Sequence, residues 1–187
     1  MMRLMGNTTP SSRATARKWR LCLITPGLGR VAILILAVIF MSMPSTEQAQ
    51  QRAPIKRVVF VCEHGSVKSL IAATYFNQSA KARGLAFAAV ARGTAPEPTV
   101  PRLVQDRLNA DGASVSGFVP QLFRSADLDG TSLVVSFDQD IAPLVGDRVP
   151  LLHWDNLPGV LADYRRGRDA IVKKVDALLE SLKKEAR

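Results

Sequence analysis

Apolar residues in the second part of the chain fall into short runs separated by polar segments. Four of these runs are rich in β-branched and aliphatic side chains, which is typical of strands buried in a sheet. They cover residues 55–61, 85–91, 132–137 and 149–154. Each run is shorter than an ordinary helix, so the pattern predicts four strands.

Helical patterns occupy the segments between these runs and after the last one. Residues 69–83 and 101–111 have helix-forming compositions and are followed by Gly84 and Gly112, since glycine is common just beyond a helix C-terminus. Near the C-terminus, apolar residues recur at spacings of three, four or seven and predict an amphipathic helix. They are Leu161, Tyr164, Ile171, Val175, Leu178 and Leu182. Two short helices are also predicted, at 120–123 and 139–145.

The alternation of strands and helices predicts an α/β fold in which a parallel sheet is covered on both faces. Ligands of such sheets bind beyond the carboxyl ends of the strands, where the direction of winding reverses. Cys62 directly follows the first predicted strand. We therefore expect Cys62 to lie at a ligand-binding edge of the sheet.

The first fifty residues have a different pattern. Residues 1–30 are polar and basic, residues 31–43 form an uninterrupted apolar run, and polar residues follow Pro44. This is the order of a secretory signal, and the run is shorter than the ~20 residues of a spanning helix. We predict a signal peptide or membrane anchor with a linker at 1–50, a folded domain at 51–187, and export to the periplasm or the exterior.

Two alternatives for this leader stay open. Cutting after Ala49 places Glu47 at the third position before the cut, where a small residue is preferred. In the second interpretation the segment is therefore not cleaved and anchors the domain to the inner membrane. In the third, translation starts near Met41 or Met43 and the protein is cytoplasmic.

Charge and cysteine content narrow the possible functions. The chain has a net charge of +9, of which +5 lies in residues 1–50, so the predicted domain is only mildly basic. Its charges are interspersed and no aromatic residues alternate with a basic stripe, which argues against nucleic-acid binding and allows an anionic ligand. Outside the leader Cys62 is the only cysteine, and no Cys/His cluster has metal-ligand spacing. We expect no structural disulfide, no metal and no cofactor.

The segment between the first predicted strand and the first predicted helix carries the candidate chemistry. It reads Cys62-Glu63-His64-Gly65-Ser66-Val67-Lys68-Ser69. A tight strand-to-helix loop turns backbone N–H groups inward, and these donors bind anions together with the positive end of the helix. The same field favours the thiolate form of a cysteine, which can attack phosphorus and form a covalent thiophosphate.

The side chains of this loop have separate expected roles. Lys68, six residues after Cys62, would neutralise charge on the transferred group, while Ser69 would cap the helix and donate its hydroxyl to the thiolate. Glu63 is expected to point to solvent, because an acid facing the site would repel an anion. The expected substrate-binding residues are Glu63, His64, Gly65, Ser66 and Val67.

With its cation at position 68 and serine at position 69, the Cys62 loop resembles that of the low-molecular-weight protein tyrosine phosphatases and the related thioredoxin-coupled arsenate reductases. Five other segments are also similar to this superfamily. They are the strand VVFVC, the helix SLIAATYFNQSAKARG, the strand SLVVSFD, the turn HWDNLPG and the helix from DYRRGRDAIVKKV. His64 is more similar to the reductase branch. The resemblance covers about residues 55–185. It implies a three-layer sandwich around a four-stranded parallel sheet, of the phosphotyrosine phosphatase I type.

Three departures from the family pattern affect the expected activity. The family arginine is replaced by Lys68, which offers a point charge in place of a planar fork. The Asp-Pro pair that supplies the general acid is missing, and Asp155 is the nearest carboxylate in that region. A carboxylate there is also suited to forming the turn before Asn-Leu-Pro-Gly. The additional cysteines of the reductases are absent after Cys62, so reduction would need an external thiol. Asp138, after the third predicted strand, could reach the site or cap the following helix, and capping is the favoured role.

Three functions remain. The first is a phosphatase acting on phosphotyrosine or a small phosphomonoester, with Cys62, Lys68, Ser69 and Asp155 as catalytic residues. The second is a catalytically impaired domain that binds an oxyanion or a phosphoprotein. The third is an arsenate reductase-like protein that uses an external thiol. In each case the expected partner is a phosphate-like oxyanion or a phosphorylated substrate, with membrane contact only through an uncleaved N-terminal segment.

Overall fold

The computed structural model describes residues 54–185 of the chain. The predicted leader at 1–50 lies outside the described residues, so its roles as signal, anchor or linker stay predictions. Among the described residues no helix is both long enough and apolar enough to cross a bilayer.

Four parallel strands form one sheet. In chain order they are β1 Lys56–Cys62, β2 Phe87–Gly93, β3 Thr131–Phe137 and β4 Leu151–Trp154. Their order across the sheet is β2-β1-β3-β4, and every neighbouring pair is parallel. The predicted α/β fold with four parallel strands is confirmed, and each strand starts within two residues of its predicted position.

Four α-helices connect or follow the strands. They are α1 Lys68–Ala82, α2 Arg102–Ala110, α3 Ala142–Val145 and α4 Tyr164–Glu185. The predicted glycine stops are correct: Gly84 and Gly112 have φ angles of +63° and +78° just beyond α1 and α2. In both cases the next N–H bonds back to a carbonyl in the last helical turn, at 2.9 Å. This arrangement satisfies carbonyls that a helix end leaves free.

The central strand β1 sends alternate side chains to two separate cores. Val58, Phe60 and Cys62 pack on one face of the sheet, with α1, α2 and α4. Val59 and Val61 pack on the other face, with the shorter elements of the chain. Because β1 is covered on both faces, its sequence from Val58 onward is a continuous apolar run. The sheet is thus the middle layer of three.

The second face is covered by short elements only. A 3₁₀ helix at Ser125–Leu128 supplies Leu128 to this core, and α3 with its N-cap residue supplies Val145 and Ile141. The short helix predicted at 139–145 therefore exists in part. The helix predicted at 120–123 is wrong, because the helical turn begins at Ser125.

The C-terminal helix α4 places its apolar stripe on the sheet as predicted, with one exception. Tyr164, Ile171, Val175 and Leu178 are buried. Leu161 precedes the helix and is 57% exposed. It was predicted to belong to the buried stripe because it lies three residues before Tyr164, but the helix starts later and leaves Leu161 in a loop.

Candidate active site

The carboxyl ends of β1 and β3 border a cavity of about 310 Å³. Since β2 and β3 lie on opposite sides of β1, the winding of the sheet reverses between β1 and β3. Open parallel sheets bind ligands at such a point. The lining residues come from the β1–α1 loop, the end of β3 and the turn before α4. They are Cys62, Glu63, His64, Val67, Lys68, Phe137, Asp138, Gln139, Gly159, Val160, Leu161 and Ala162.

Cys62 is the last residue of β1, and it lines the cavity although it is only 6% exposed. Its Sγ lies 3.1 Å from Ser69 Oγ, and the N–H of Gly65 donates to Sγ at 3.2 Å. Both groups can donate to a negatively charged sulfur and so stabilise it. The structure therefore brings Cys62, Gly65 and Ser69 together as the sequence predicted.

Two glycines allow the loop to fold back against the end of β2. A Cβ added to Gly65 would lie 2.9 Å from the nitrogen of Gly93, and a Cβ added to Gly93 would lie 2.8 Å from the nitrogen of Gly65. Gly65 also has φ of +68°, which side chains with a Cβ rarely adopt. The shape of the loop thus depends on a second glycine that lies outside the loop.

The segment that follows β2 holds the loop from behind. Three N–H groups of residues 94–97 donate to the carbonyl oxygens of Cys62, Glu63 and His64, at 2.8–3.2 Å. These carbonyls would otherwise repel an anion, and here they are occupied by donors. The loop is therefore held through its backbone, with little dependence on the identity of its exposed side chains.

The N–H groups of the loop are available to a ligand. Among residues 54–185, the N–H groups of His64, Ser66 and Val67 have no protein acceptor. The first N–H groups of α1, which begins at Lys68, also lack acceptors within the helix. The Ser66 hydroxyl donates to the Glu97 carboxylate at 2.7 Å, so this side chain fixes the loop and does not line the cavity.

Ser69 lies in the first turn of α1 and is fully buried. The N-cap residue of the helix is Val67, and it makes no side-chain capping bond. The expected capping role of Ser69 is therefore wrong. Its hydroxyl contacts Cys62 Sγ instead, which places it where it could donate to a thiolate.

Lys68 lies at the cavity and pairs with Asp138. The Lys68 side chain is 22% exposed and that of Asp138 is 39% exposed. No other ion pair of Lys68 occurs among the described residues. The expectation that Asp138 caps the next helix is wrong, because the N–H of Ala142 donates to Asp140 Oδ1 at 3.0 Å.

The remaining candidates lie at the rim or away from the cavity. Asp155 follows β4 in an exposed turn and does not line the cavity. Glu63 has a side chain 60% exposed, as expected, yet it lines the cavity, and its Oε1 lies 4.0 Å from His64 Nε2. Among the described residues, the carboxylates that line the cavity are thus Glu63 and Asp138.

Gly93 and Glu97 were not among the predicted site residues. For Asp138 the favoured capping role was wrong, and the alternative, that it reaches the site, agrees with its place at the cavity. A glycine at the end of β2 and an acid directly after β3 were visible signals, because the ends of parallel strands meet at one edge of the sheet. For Glu97 no signal was available, since its contact with Ser66 spans a Pro-rich loop. Within residues 54–185 no group of His, Cys, Asp or Glu side chains is arranged to hold a metal ion.

Comparison with proteins of known structure agrees with this architecture. A low molecular weight phosphotyrosine phosphatase from Bacillus subtilis is 20% identical, with a TM-score of 0.61 over 70% of this chain and 99% of that one. An arsenate reductase from Archaeoglobus fulgidus is 26% identical, with a TM-score of 0.54 over 66% of this chain and 98% of that one. An arsenate reductase solved in its phosphate-binding state is 19% identical, with a TM-score of 0.58 over 67% and 98% of the chains.

Sequence comparison assigns the family. No curated protein matches the chain at a significant level. The family model described as "Low molecular weight phosphotyrosine protein phosphatase" matches residues 57–150, which is half of the chain and runs from β1 to the residue before β4. The matched segment contains the whole Cys62 loop and Asp138. The chain therefore belongs to the low molecular weight phosphotyrosine protein phosphatase family.

Proposed function

We propose that the domain is a cysteine-dependent phosphatase that hydrolyses phosphotyrosine or another small phosphomonoester. The observation that carries this proposal is the position of Cys62 Sγ at the cavity, in contact with Ser69 Oγ and the N–H of Gly65. A sulfur nucleophile beside unpaired N–H groups and a lysine suits attack on a phosphate ester. The phosphate-binding state of the similar arsenate reductase supports a phosphate-like ligand.

The reaction proceeds in two displacements at phosphorus. The Cys62 thiolate attacks, the S–P bond forms, and the ester P–O bond breaks with its electron pair on the leaving oxygen. Water then attacks phosphorus, the S–P bond breaks, and inorganic phosphate and the thiolate are released. The loop N–H groups and Lys68 stabilise charge on the phosphoryl oxygens, and the Ser69 hydroxyl stabilises the departing sulfur.

Among the described residues, the cavity offers no unpaired Asp that could donate a proton to the leaving group. Asp155 does not line the cavity, and Asp138 is paired with Lys68. An ester whose leaving oxygen carries negative charge well depends less on a proton donor. We expect aryl phosphates to be hydrolysed faster than alkyl phosphates, with rates that fall steeply as the leaving oxygen becomes more basic.

The test compares wild type with Cys62→Ser on a series of substituted phenyl phosphates. Wild type should hydrolyse them, and Cys62→Ser should lose the activity because serine is a far weaker nucleophile at neutral pH. Circular dichroism controls for folding. Equal rates in the two proteins would show that catalysis does not occur at this loop.

A second candidate is a domain that binds an oxyanion or a phosphoprotein without turnover. The observation that favours it is the pairing of Lys68 with Asp138, because the cation of the loop is engaged before any ligand arrives. In this case calorimetry with phosphate, sulfate, arsenate and phosphotyrosine should detect binding while phenyl phosphates are not hydrolysed. A folded protein that binds none of these anions would contradict both candidates.

Lys68→Arg distinguishes a weak phosphatase from a pure binding domain. An arginine holds two phosphoryl oxygens with a planar fork, whereas a lysine offers one point charge. If the site is a weak phosphatase, kcat/KM for phenyl phosphate should rise about three- to tenfold in this variant. Unchanged or lower activity with retained phosphate binding would instead support the binding domain.

Arsenate reduction is less well supported. Cys62 is the only cysteine in residues 54–185, so a disulfide cannot be passed along this part of the chain. Turnover would need an external thiol, because no other residue in this part of the chain supplies one. Arsenate is therefore included above as a ligand for the binding experiment.

A further inference from the structure

The Asp138 carboxylate, which pairs with Lys68, has no role in the two displacements described above. Asp138 directly follows β3, and its backbone has φ of +52°. Few residues other than glycine adopt this conformation, which is often kept where a side chain must point in a required direction. The side chain that it directs lies at the cavity and contacts the Lys68 ammonium.

The neighbours of Asp138 are held by other contacts. Gln139 Oε1 accepts a hydrogen bond from Thr94 Oγ1 at 2.8 Å, and Asp140 Oδ1 accepts one from the N–H of Ala142 at 3.0 Å. Asp138 is thus free of the capping role, and the segment that carries it is fixed on its C-terminal side. The charged or titratable groups that share its cavity are Cys62, Glu63, His64 and Lys68. Of these, only Lys68 contacts Asp138.

We propose that Asp138 is a positioning residue that holds Lys68 in the cavity and competes with the incoming oxyanion for it. This inference rests on the oxyanion site proposed above. An anion on the loop must draw the ammonium from the Asp138 carboxylate or share it, so Asp138 lowers the affinity of the site. If the Asp138 carboxylate is removed, Lys68 can pair with the bound anion without competition from Asp138.

The test measures sulfate binding to the full chain by calorimetry at pH 7.5, for wild type, Asp138→Asn, Lys68→Met and the double variant. Sulfate keeps one charge state near neutral pH and needs no turnover. Asparagine tolerates the positive φ of position 138 as well as aspartate does, and methionine keeps the length of the lysine stem. Melting temperatures verify that all four proteins are folded.

The expected result is non-additive. Asp138→Asn should bind sulfate about two- to fivefold more tightly than wild type, which is the range for a partly exposed ion pair. In the Lys68→Met background the same change should give a smaller gain. The matched control is Glu63→Gln, which removes the other cavity carboxylate without touching Lys68, and its effect should be equal in both backgrounds.

Three results would overturn the inference. If Asp138→Asn binds no more tightly than wild type, Asp138 does not compete for Lys68. If its gain is equally large in the Lys68→Met background, Asp138 acts only by repelling the anion. If neither wild type nor Asp138→Asn binds sulfate or phosphate, the proposed oxyanion site fails as well. Binding by wild type without hydrolysis of phenyl phosphates would contradict the phosphatase alone.

Discussion

Ser66 and Ser69 are both fully buried serines near the start of α1, but their hydroxyls have different partners. Ser69 Oγ lies 3.1 Å from the sulfur of Cys62, whereas Ser66 donates to Glu97 at 2.7 Å. One serine therefore acts on the nucleophile and the other fixes the loop. This pair allows the contribution of a single hydroxyl to be measured against a matched neighbour.

Ser69→Ala should slow the hydrolysis of phenyl phosphate about tenfold or more. The reason is that a hydrogen bond to a charged group contributes about 1.5–3 kcal/mol, and here it stabilises the thiolate that leaves phosphorus. Steady-state and single-turnover kinetics measure the effect on each step. Ser66→Ala should slow hydrolysis less than Ser69→Ala does and should lower the free energy of unfolding more. If the two variants lose equal rate and equal stability, Ser69 has no special action on the sulfur.

The sequence locates Cys62, Lys68 and Ser69 because their spacing is local. One strand, one short loop and one helix start bring them together, although the shape of the loop also depends on Gly93. Asp138 lies 70 residues after Lys68, and only the β1–β3 pairing brings the two together. Asp155 was the natural candidate by position in the sequence, but whether a turn overhangs the cavity is decided by packing, which no local pattern encodes.

At the scale of elements, the turn before α4 forms one wall of the cavity by lying very close to that helix. A Cβ added to Gly167 in α4 would lie 2.8 Å from Val160 Cγ2 and 2.9 Å from Val160 Cα. Val160 and its neighbours Gly159 and Leu161 line the cavity. The width of the cavity therefore depends on the absence of a side chain at position 167.

Gly167→Ala should displace this wall. We expect a loss of about 1–3 kcal/mol of unfolding free energy, which is typical of overpacking, together with a changed KM for phenyl phosphate. Urea denaturation and steady-state kinetics measure the two effects. Gly84→Ala is the control, because its Cβ would meet nothing within 4 Å and only its φ of +63° causes strain. It should lose stability and keep its KM. An unchanged KM in both variants would show that the wall does not contact substrate.

Element prediction succeeded where the pattern is unambiguous. Strand β1 is apolar from Val58 to Cys62, and Gly84 follows shortly after the end of α1, so the bounds of both elements were predicted within two residues. The start of α4 was not predicted correctly. Leu161 lies three residues before Tyr164, and this spacing is the same whether Leu161 belongs to the helix or to the turn before it. Hydrophobic periodicity alone cannot locate the start of a helix when the loop before it carries an apolar residue at helical spacing.

At the scale of the whole molecule, a polar cluster joins three helices away from the cavity. Tyr75 in α1 donates to Asp111 Oδ2 at 2.5 Å, just after α2, and Arg168 in α4 lies 3.5 Å from the same oxygen. Burial raises the pKa of Tyr75, and its hydrogen bond to Asp111 raises it further. Burial likewise raises the pKa of Tyr164, with the negative charge of Asp111 as the next cause.

These shifts predict a loss of stability in alkaline solution. In the unfolded chain a tyrosine ionises near pH 10, and in the folded protein both hydroxyls hold their protons more tightly. Their contribution is therefore complete below pH 10 and is lost as the pH rises above 10 through the folded pKa values. Urea midpoints between pH 8.5 and about 11 measure it. Tyr75→Phe should reduce the pH dependence in this range, and an equal slope in both proteins would contradict the assignment.

The depth of Cys62 also decides which molecules can react with it. A disulfide needs two Cβ atoms within about 4.5 Å of each other. With its sulfur at the cavity and the residue only 6% exposed, two copies of the folded domain cannot approach that closely through this residue. Small oxidants and low-molecular-weight thiols can enter the cavity. Oxidation at Cys62 should therefore give sulfenic acid or small mixed disulfides and no dimers linked through this residue, so the cavity acts as a size filter around the one thiol of residues 54–185.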